Sequence, residues 1–414
     1  MEEKFVLGIN YWPRRKAMYW WSQFDAAEVE DEFSLIQEMG LSVVRIFLLW
    51  DDFQPEPNSV DKSALQNLEK VADIAAAHGL GLDVTFFTGH MSGPNWAPRW
   101  LMDKSATYAS PYFAFVRQVI SQGQIVPGGA YRNMFIDPVA LDAERLLLKA
   151  VVGMLKDHPA VWMWNLGNEP DLFAWPAGAA AGRAWVHEMT SLIKSIDPVH
   201  PVTVGTHSDS LNRDNGLRLD QVHRETDIPV MHSYPMYCEW SRGPLDPDFV
   251  PFTTALTAAL AGKPALMEEF GGCTNLQGKP SETWEWIAYG SPRTQFMASE
   301  EDFAEYIRQV LPLTQEIGST GAFLWCFADY ATELWNVPPC LESRHERHFG
   351  LVRPDGSIKP HFEVIKQFAD THPLVKPIPG FARFPGLTGD EYYAGDPAEL
   401  QPALFKEYLK RKSG

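Results

Sequence analysis

The feature that most constrains this chain is a pattern repeated along its first quarter: a short apolar run, an amphipathic segment, then a glycine. Residues 5–11, 42–50 and 81–87 are the apolar runs, too short for helices and rich in Val, Ile and Phe, so each reads as a buried strand. Between the first two, Val29, Phe33, Ile36 and Met39 fall on one helical face. Asp25-x-x-Glu28 resembles a capping box at its start, and Gly40 ends it. Between the second and third, Leu65, Leu68, Val71 and Ile74 repeat the stripe from about Asp61 to His78-Gly79. Strands alternating with helices imply a parallel sheet wound by helices.

The rhythm breaks between Thr88 and Ile136, an excursion holding His90, Trp96, Trp100, Tyr108, Tyr112, Phe113 and Tyr131. A loop that long is usually functional. Asp137-Pro138 then starts a helix as cap and first position. Further strands are expected in the stretch 161–170, which ends in Gly-Asn-Glu-Pro, and at 202–206, 228–234, 265–270 and 321–327. Helices are expected over about 178–196 and 252–260, after Ser299, and over 361–368, with a second aromatic excursion at 271–298 carrying Trp284, Trp286 and Tyr289. Eight strand–helix units predict an α/β chain, a (β/α)8 TIM barrel with long loops at the C-terminal face of its strands, where such barrels place their chemistry. The barrel is expected to occupy 1–371, with 372–414 a tail packed on it.

Composition narrows the partners. The 414 residues are 45% hydrophobic and carry a formal net charge of −18, which disfavours nucleic acid, anionic membranes and polyphosphates. A small neutral ligand fits better, and 15 Trp with 13 Tyr supply flat rings suited to sugar faces. The four cysteines form no C-x-x-C pair, so reduced thiols and no metal ribbon are expected. The beginning of the chain has no basic, apolar leader pattern and no apolar run reaches membrane length, so a cytoplasmic location is expected. Nothing in the sequence indicates the oligomeric state.

The ends of the expected strands gather Tyr11 and Trp12, Arg45, His90, Asn168 with Glu169, His232 with Tyr234, Glu269, and Trp325. Each has a structural explanation alone; one rim collecting them all points to chemistry. Two carboxylates facing each other across a pocket serve glycoside cleavage, one as a protonated acid and one ionised. Arg45 is expected to keep Glu269 ionised, while a less solvated Glu169 keeps its proton longer. Tyr234 is suited to hydrogen-bond Glu269, and His232 to orient Glu169 or a sugar hydroxyl.

Asn168-Glu169-Pro170 after the fourth strand and Glu269-Phe270-Gly271 after the seventh resemble the acid/base and nucleophile motifs of glycoside hydrolase clan A, particularly family 5. Arg45, His90, His232-x-Tyr234 and Trp325 fall in the matching strand order. The resemblance implies a retaining β-glycosidase acting by double displacement, with Glu169 as acid/base, Glu269 as nucleophile and no metal or cofactor. It also selects Glu269 over Glu268, which strand alternation then turns toward the helices. Gly8-Ile9-Asn10-Tyr11-Trp12-Pro13 and Tyr19-Trp20-Trp21 are similar to exo-acting, β-mannosidase-like members. The expectation is an exo-β-mannosidase; an endo-β-1,4-mannanase or glucanase, an exo β-galactosidase or β-glucosidase, and a non-catalytic carbohydrate-binding barrel are the alternatives.

Overall fold

A computed structural model describes residues 3–102, 118–126 and 132–414. Eight strands form one parallel sheet: β1 (Val6–Asn10), β2 (Val43–Leu49), β3 (Gly81–Thr88), β4 (Val161–Asn168), β5 (Val202–Gly205), β6 (Val230–Ser233), β7 (Leu266–Gly271) and β8 (Gly321–Trp325). Their spatial order is β5-β4-β3-β2-β1-β8-β7-β6, every neighbouring pair parallel. The two ends meet at one parallel bridge, His207 with His232, where the His232 N–H donates to the Thr206 carbonyl at 2.9 Å. This closes the (β/α)8 barrel.

Helices follow the strands: α1 (Ala26–Glu38), α2 (Lys62–Ala77), α3 (Pro138–Leu155), α4 (Ala179–Ile196), α5 (Phe249–Ala261), α6 (Glu300–Glu316) and α7 (Pro360–Ala369). Asp25, Asp61, Asp137 and Ser299 cap α1, α2, α3 and α6 by accepting backbone N–H bonds, each worth about 1 kcal/mol. Glu28 does not complete the expected capping box; it turns to Lys16 at 2.5 Å and to the Arg15 N–H. After β5 there are only the short helices Ser208–Asn212 and Leu219–Val222. No helix among the described residues is long and apolar enough to cross a membrane.

The larger core lies between the helices and the outside of the sheet, and a smaller one of Val43, Met163, Val230, Leu266 and Phe323 fills the barrel toward the strand beginnings. Gly8 makes room for that plug, since a Cβ there would stand 2.4 Å from the Phe323 ring. Above it the interior is polar: Asn10, Arg45, Asp83, Thr85, Asn165, His232 and Glu268 are all buried.

The first excursion contains a small sheet of Asn95–Trp96, Val119–Ser121 and Gln124–Val126. Its aromatic residues Tyr108, Tyr112, Phe113 and Tyr131 lie outside the described residues. The second is an antiparallel hairpin, Glu282–Ala288 with Ser291–Met297, turned by Tyr289 and Gly290 at φ 51° and 78°. Beyond residue 372 the chain forms α8 (Pro397–Ser413). Phe405 and Tyr408 of α8 pack on Phe252 of α5 with ring centroids 5.0 and 5.6 Å away.

Candidate active site

β4 delivers Glu169. The strand is pinned because Asn165 Oδ1 accepts the N–H groups of Gly167 and Gly205, each at 3.1 Å, tying β4 to β5. Glu169 then adopts a left-handed conformation (φ 46°, ψ 55°), and Pro170 opens a short helix. A non-glycine residue held there costs on the order of 1–3 kcal/mol and is found where a side chain must be aimed.

β7 delivers two glutamates. Its register slips against β6 between Met267 and Glu269, and against β8 between Met267 and Phe270. Such a bulge cancels the alternation of a regular strand. Glu268 therefore does not face the helices, as simple alternation predicts; it points into the barrel and is fully buried. Asn165 Nδ2 lies 3.0 Å from Glu268 Oε1 and His232 Nε2 lies 2.9 Å from Oε2.

Arg45, also fully buried, joins these groups. It donates to Glu269 Oε1 at 2.5 Å, Thr85 Oγ1 at 3.0 Å, Asn10 Oδ1 at 3.1 Å and Asn168 Oδ1 at 3.1 Å, and lies 3.4 Å from Glu268. Tyr234 OH donates to the other Glu269 oxygen at 2.9 Å. His232 Nδ1 stands 2.8 Å from Glu169 Oε1 and 3.5 Å from Glu269. One oxygen of each of Glu169 and Glu269 and a ring nitrogen of His232 all lie within 4.8 Å of one another. That spacing could also hold a metal ion, but Arg45 already places a positive charge against Glu269.

The charge on Glu169 differs from the sequence expectation. Burial favours the neutral form of Glu169, yet the charge of His207 and then the bond and charge of His232 pull its pKa down to about 2. His207 is held up to about 10, against its burial, by Asp171 and Glu169, and its Nε2 lies 2.8 Å from Asp171. Burial raises Glu269, outweighing His232 and Arg45, with the charge of Glu169 adding to the rise. The expectation weighed Arg45 and the poor solvation of Glu169 but omitted His207, which comes from beyond β5.

These groups open into a cavity of about 1040 Å³. His90, Asn168, Glu169, Tyr234, Glu269 and Trp325 line it. His90 Nδ1 is 2.8 Å from Asn95 Oδ1, and Trp325 meets Phe47 edge-on at 5.9 Å, with a cis peptide to Cys326. Trp12 does not reach the cavity: it has no exposed surface and stacks at 5.0 Å on Phe47, the ring that Trp325 meets edge-on. The lining also includes residues that the sequence did not single out, among them Arg293 of the hairpin, Glu346 after β8 and Gln401 of α8. Glu346 accepts from Ser92 at 3.0 Å, and burial pushes it up to about 7. The density of ionisable groups in Arg344-His345-Glu346-Arg347-His348 is the signal that could have found it.

The family model for cellulase, glycosyl hydrolase family 5, matches residues 6–302. Among curated relatives, the probable mannan endo-1,4-β-mannosidase F of Aspergillus flavus is 24% identical over 305 residues, 65% of this chain and 58% of that one. Mannan endo-1,4-β-mannosidase 4 of Oryza sativa subsp. japonica is 26% identical over 277 residues, 59% of this chain and 55% of that one. The chain thus spans less than two thirds of the length of these relatives. Two solved structures share the fold. An exo-β-1,4-mannosidase from Opitutaceae bacterium strain TAV5 has a TM-score of 0.70 at 24% identity, over 89% of this chain and 60% of that one. GH5_18 from Streptomyces cattleya, in complex with GlcNAc, has a TM-score of 0.77 at 18% identity, over 100% of this chain and 92% of that one. With the family model spanning most of the chain and the two glutamates set together at the barrel mouth, this chain belongs to glycosyl hydrolase family 5.

Proposed function

We propose that the chain is a retaining, exo-acting β-mannosidase in which Glu269 is the nucleophile and Glu169 the acid/base. The carrying observation is the closeness of the two carboxylates, with nearest oxygens within 4.8 Å. Retaining enzymes keep these groups only about 5–5.5 Å apart, whereas inverting ones leave ~6.5–9.5 Å for a water. Arg45 and Tyr234 each bind one Glu269 oxygen, holding the carboxylate for attack on the anomeric carbon. As the glycosidic bond breaks, Glu169 donates a proton to the leaving oxygen. It then takes a proton from the water that releases the sugar from Glu269. In the resting site that proton is carried on His232, one 2.8 Å bond from Glu169.

Exo action is supported by the hairpin, the loop after β8 and α8, which all contribute lining to the cavity that holds the carboxylates. The endo-mannosidases among the relatives favour the second reading, an endo-mannanase. Four free thiols suit a reducing, cytoplasmic compartment.

The test compares aryl β-mannoside, β-glucoside and β-galactoside, then a manno-oligosaccharide. The mannoside should be preferred, β-mannose should be the first-formed anomer, and the oligosaccharide should release only mannose. An α-anomer rejects retention, and internal cleavage rejects exo action. With Glu169→Ala, an activated glycoside plus azide should yield the β-glycosyl azide; no azide effect removes Glu169 from its role.

A further inference from the structure

We infer that Glu268 is a positioning residue of the hydrolysis: it fixes Nε2 of His232 as the protonated nitrogen, which makes Nδ1 the atom that exchanges a proton with Glu169. The inference rests on the acid/base role of Glu169 proposed above.

The side-chain orientation of Asn165 is set by two backbone donors on its oxygen, from Gly167 and Gly205, so its Nδ2 must be the group facing Glu268 Oε1. Arg45 only donates, and it stands 3.4 Å from Glu268 Oε2. A carboxylate between an amide donor and a guanidinium is ionised and only accepts. The 2.9 Å contact from His232 to Glu268 Oε2 is therefore Nε2–H donating. The other neutral tautomer would set a bare Nε2 against a bare carboxylate oxygen, two acceptors at hydrogen-bond distance.

With Nε2 so committed, Nδ1 has one role left. Neutral His232 has a bare Nδ1, which accepts the proton of Glu169 across the 2.8 Å contact; protonated His232 donates it back. The pair holds one proton between Nδ1 and Oε1 in either form. On cleavage this proton passes through Glu169 to the leaving oxygen as the C–O bond breaks. It returns when Glu169 deprotonates the incoming water, so no other reactant is needed.

Asp83 completes the arrangement. It is fully buried and neither oxygen has a hydrogen-bond donor from a neighbour, while Arg45 is 3.8 Å away. Burial, then the charge of Glu268, raise its pKa well above that of an ordinary aspartate. The ionisable groups facing the Glu268–His232 contact are then Arg45 from β2, Asp83 from β3, Glu169 after β4, Glu269 from β7 and His223 beyond β5. Burial keeps His223 neutral, at about 3.

Two measurements test this. In wild-type enzyme with 15N-labelled histidine, the His232 signals, identified by their loss in His232→Asn, should show Nε2 protonated throughout and Nδ1 as the nitrogen that titrates. A bare Nε2 with protonated Nδ1 overturns the inference, and this needs no Glu268 variant to fold. In Glu268→Gln, one amide cannot accept from both Asn165 and His232 as the two carboxylate oxygens do. Its kcat/KM should fall by ~100-fold or more with a poor leaving group that needs protonation, the usual scale of general acid catalysis. With a dinitrophenyl leaving group the loss should be at least about tenfold smaller. An equal loss on both substrates means Glu268 only supports the fold and overturns the inference. Azide rescue of Glu169→Ala does not depend on Glu268: if rescue succeeds while these results fail, only the Glu268 role falls.

Discussion

Replacing Arg45 by methionine keeps most of the buried stem and removes the charge 2.5 Å from Glu269 and 3.4 Å from Glu268. At an effective dielectric of about 20 those contacts represent roughly 7 and 5 kcal/mol of raw attraction. That is more than the variant can lose, because a stranded carboxylate takes up a proton instead. At ~1.36 kcal/mol per pH unit, protonating a carboxyl of ordinary pKa near 4.3 costs about 3.7 kcal/mol at pH 7 and about 1 kcal/mol at pH 5. Relief from burying the guanidinium offsets part of this, and the net loss should be about 3–5 kcal/mol at pH 7. The sign follows from Glu268. In the native protein Arg45 and then His232, acting against burial, hold it below its usual range, so its contribution is present above the unfolded pKa and lost as pH falls through the folded one. In the variant its folded pKa rises above the unfolded value, so stability instead falls as pH rises. Glu269, already raised by burial, has that second sign in both proteins. The destabilisation should therefore shrink by about 2–3 kcal/mol between pH 7 and pH 5. Urea unfolding followed by tryptophan fluorescence at pH 5, 6 and 7 measures it. A loss under about 1 kcal/mol at pH 7, or one equal at both ends, refutes the reasoning.

Tyr234→Phe removes the hydroxyl bond to Glu269 and should lower kcat/KM by roughly 10–100-fold, the worth of a hydrogen bond to a charged group; steady-state kinetics with one aryl glycoside measures it. Gly205→Ala puts a Cβ 2.5 Å from the Gly167 carbonyl and 3.1 Å from Arg45 Nη2, so thermal unfolding should show a loss of about 1–3 kcal/mol, with a fall in activity. Burial raises Glu346 from 4.5 to about 7, so it disfavours folding progressively as pH rises from 4.5 to 7. Glu346→Gln should thus gain up to about 3 kcal/mol relative to the native protein on going from pH 5 to pH 8; an unchanged difference in melting temperature contradicts that. A 2-deoxy-2-fluoro mannoside with a good leaving group should label Glu269, and peptide mapping that finds the sugar on Glu268 would reassign the nucleophile.

The strand–helix units were legible because each strand is short, apolar and bounded by breakers, and because Asp25, Asp61, Asp137 and Ser299 mark helix starts locally. The rim residues were legible because each follows a strand. Glu268 was misplaced because alternation assumes a regular strand, and the β7 bulge depends on its pairing with both neighbours. The lowered pKa of Glu169 was missed because His207, bound to Asp171, comes near it only after the barrel closes. The hairpin stayed hidden because Tyr289-Gly290 is not the Asn-Gly pair that usually marks such a turn. Glu346, Arg293 and Gln401 are brought to one cavity from a loop, a hairpin and α8, a proximity that no local pattern encodes.

The barrel is closed by a single bridge between β5 and β6, where longer ladders join the other strands, and that bridge contains His232. Local opening favours regions with few main-chain bonds, so amide hydrogens of 202–206 and 230–233 should exchange with solvent before those of β2 and β3. His232 binds Glu169 from β6 while the backbone of Glu169 donates to Gly205 of β5. A sugar held between Glu169 and Tyr234 therefore clasps the same seam from above. Occupancy of the pocket should slow exchange there more than anywhere else in the barrel, making the seam a label-free reporter of binding.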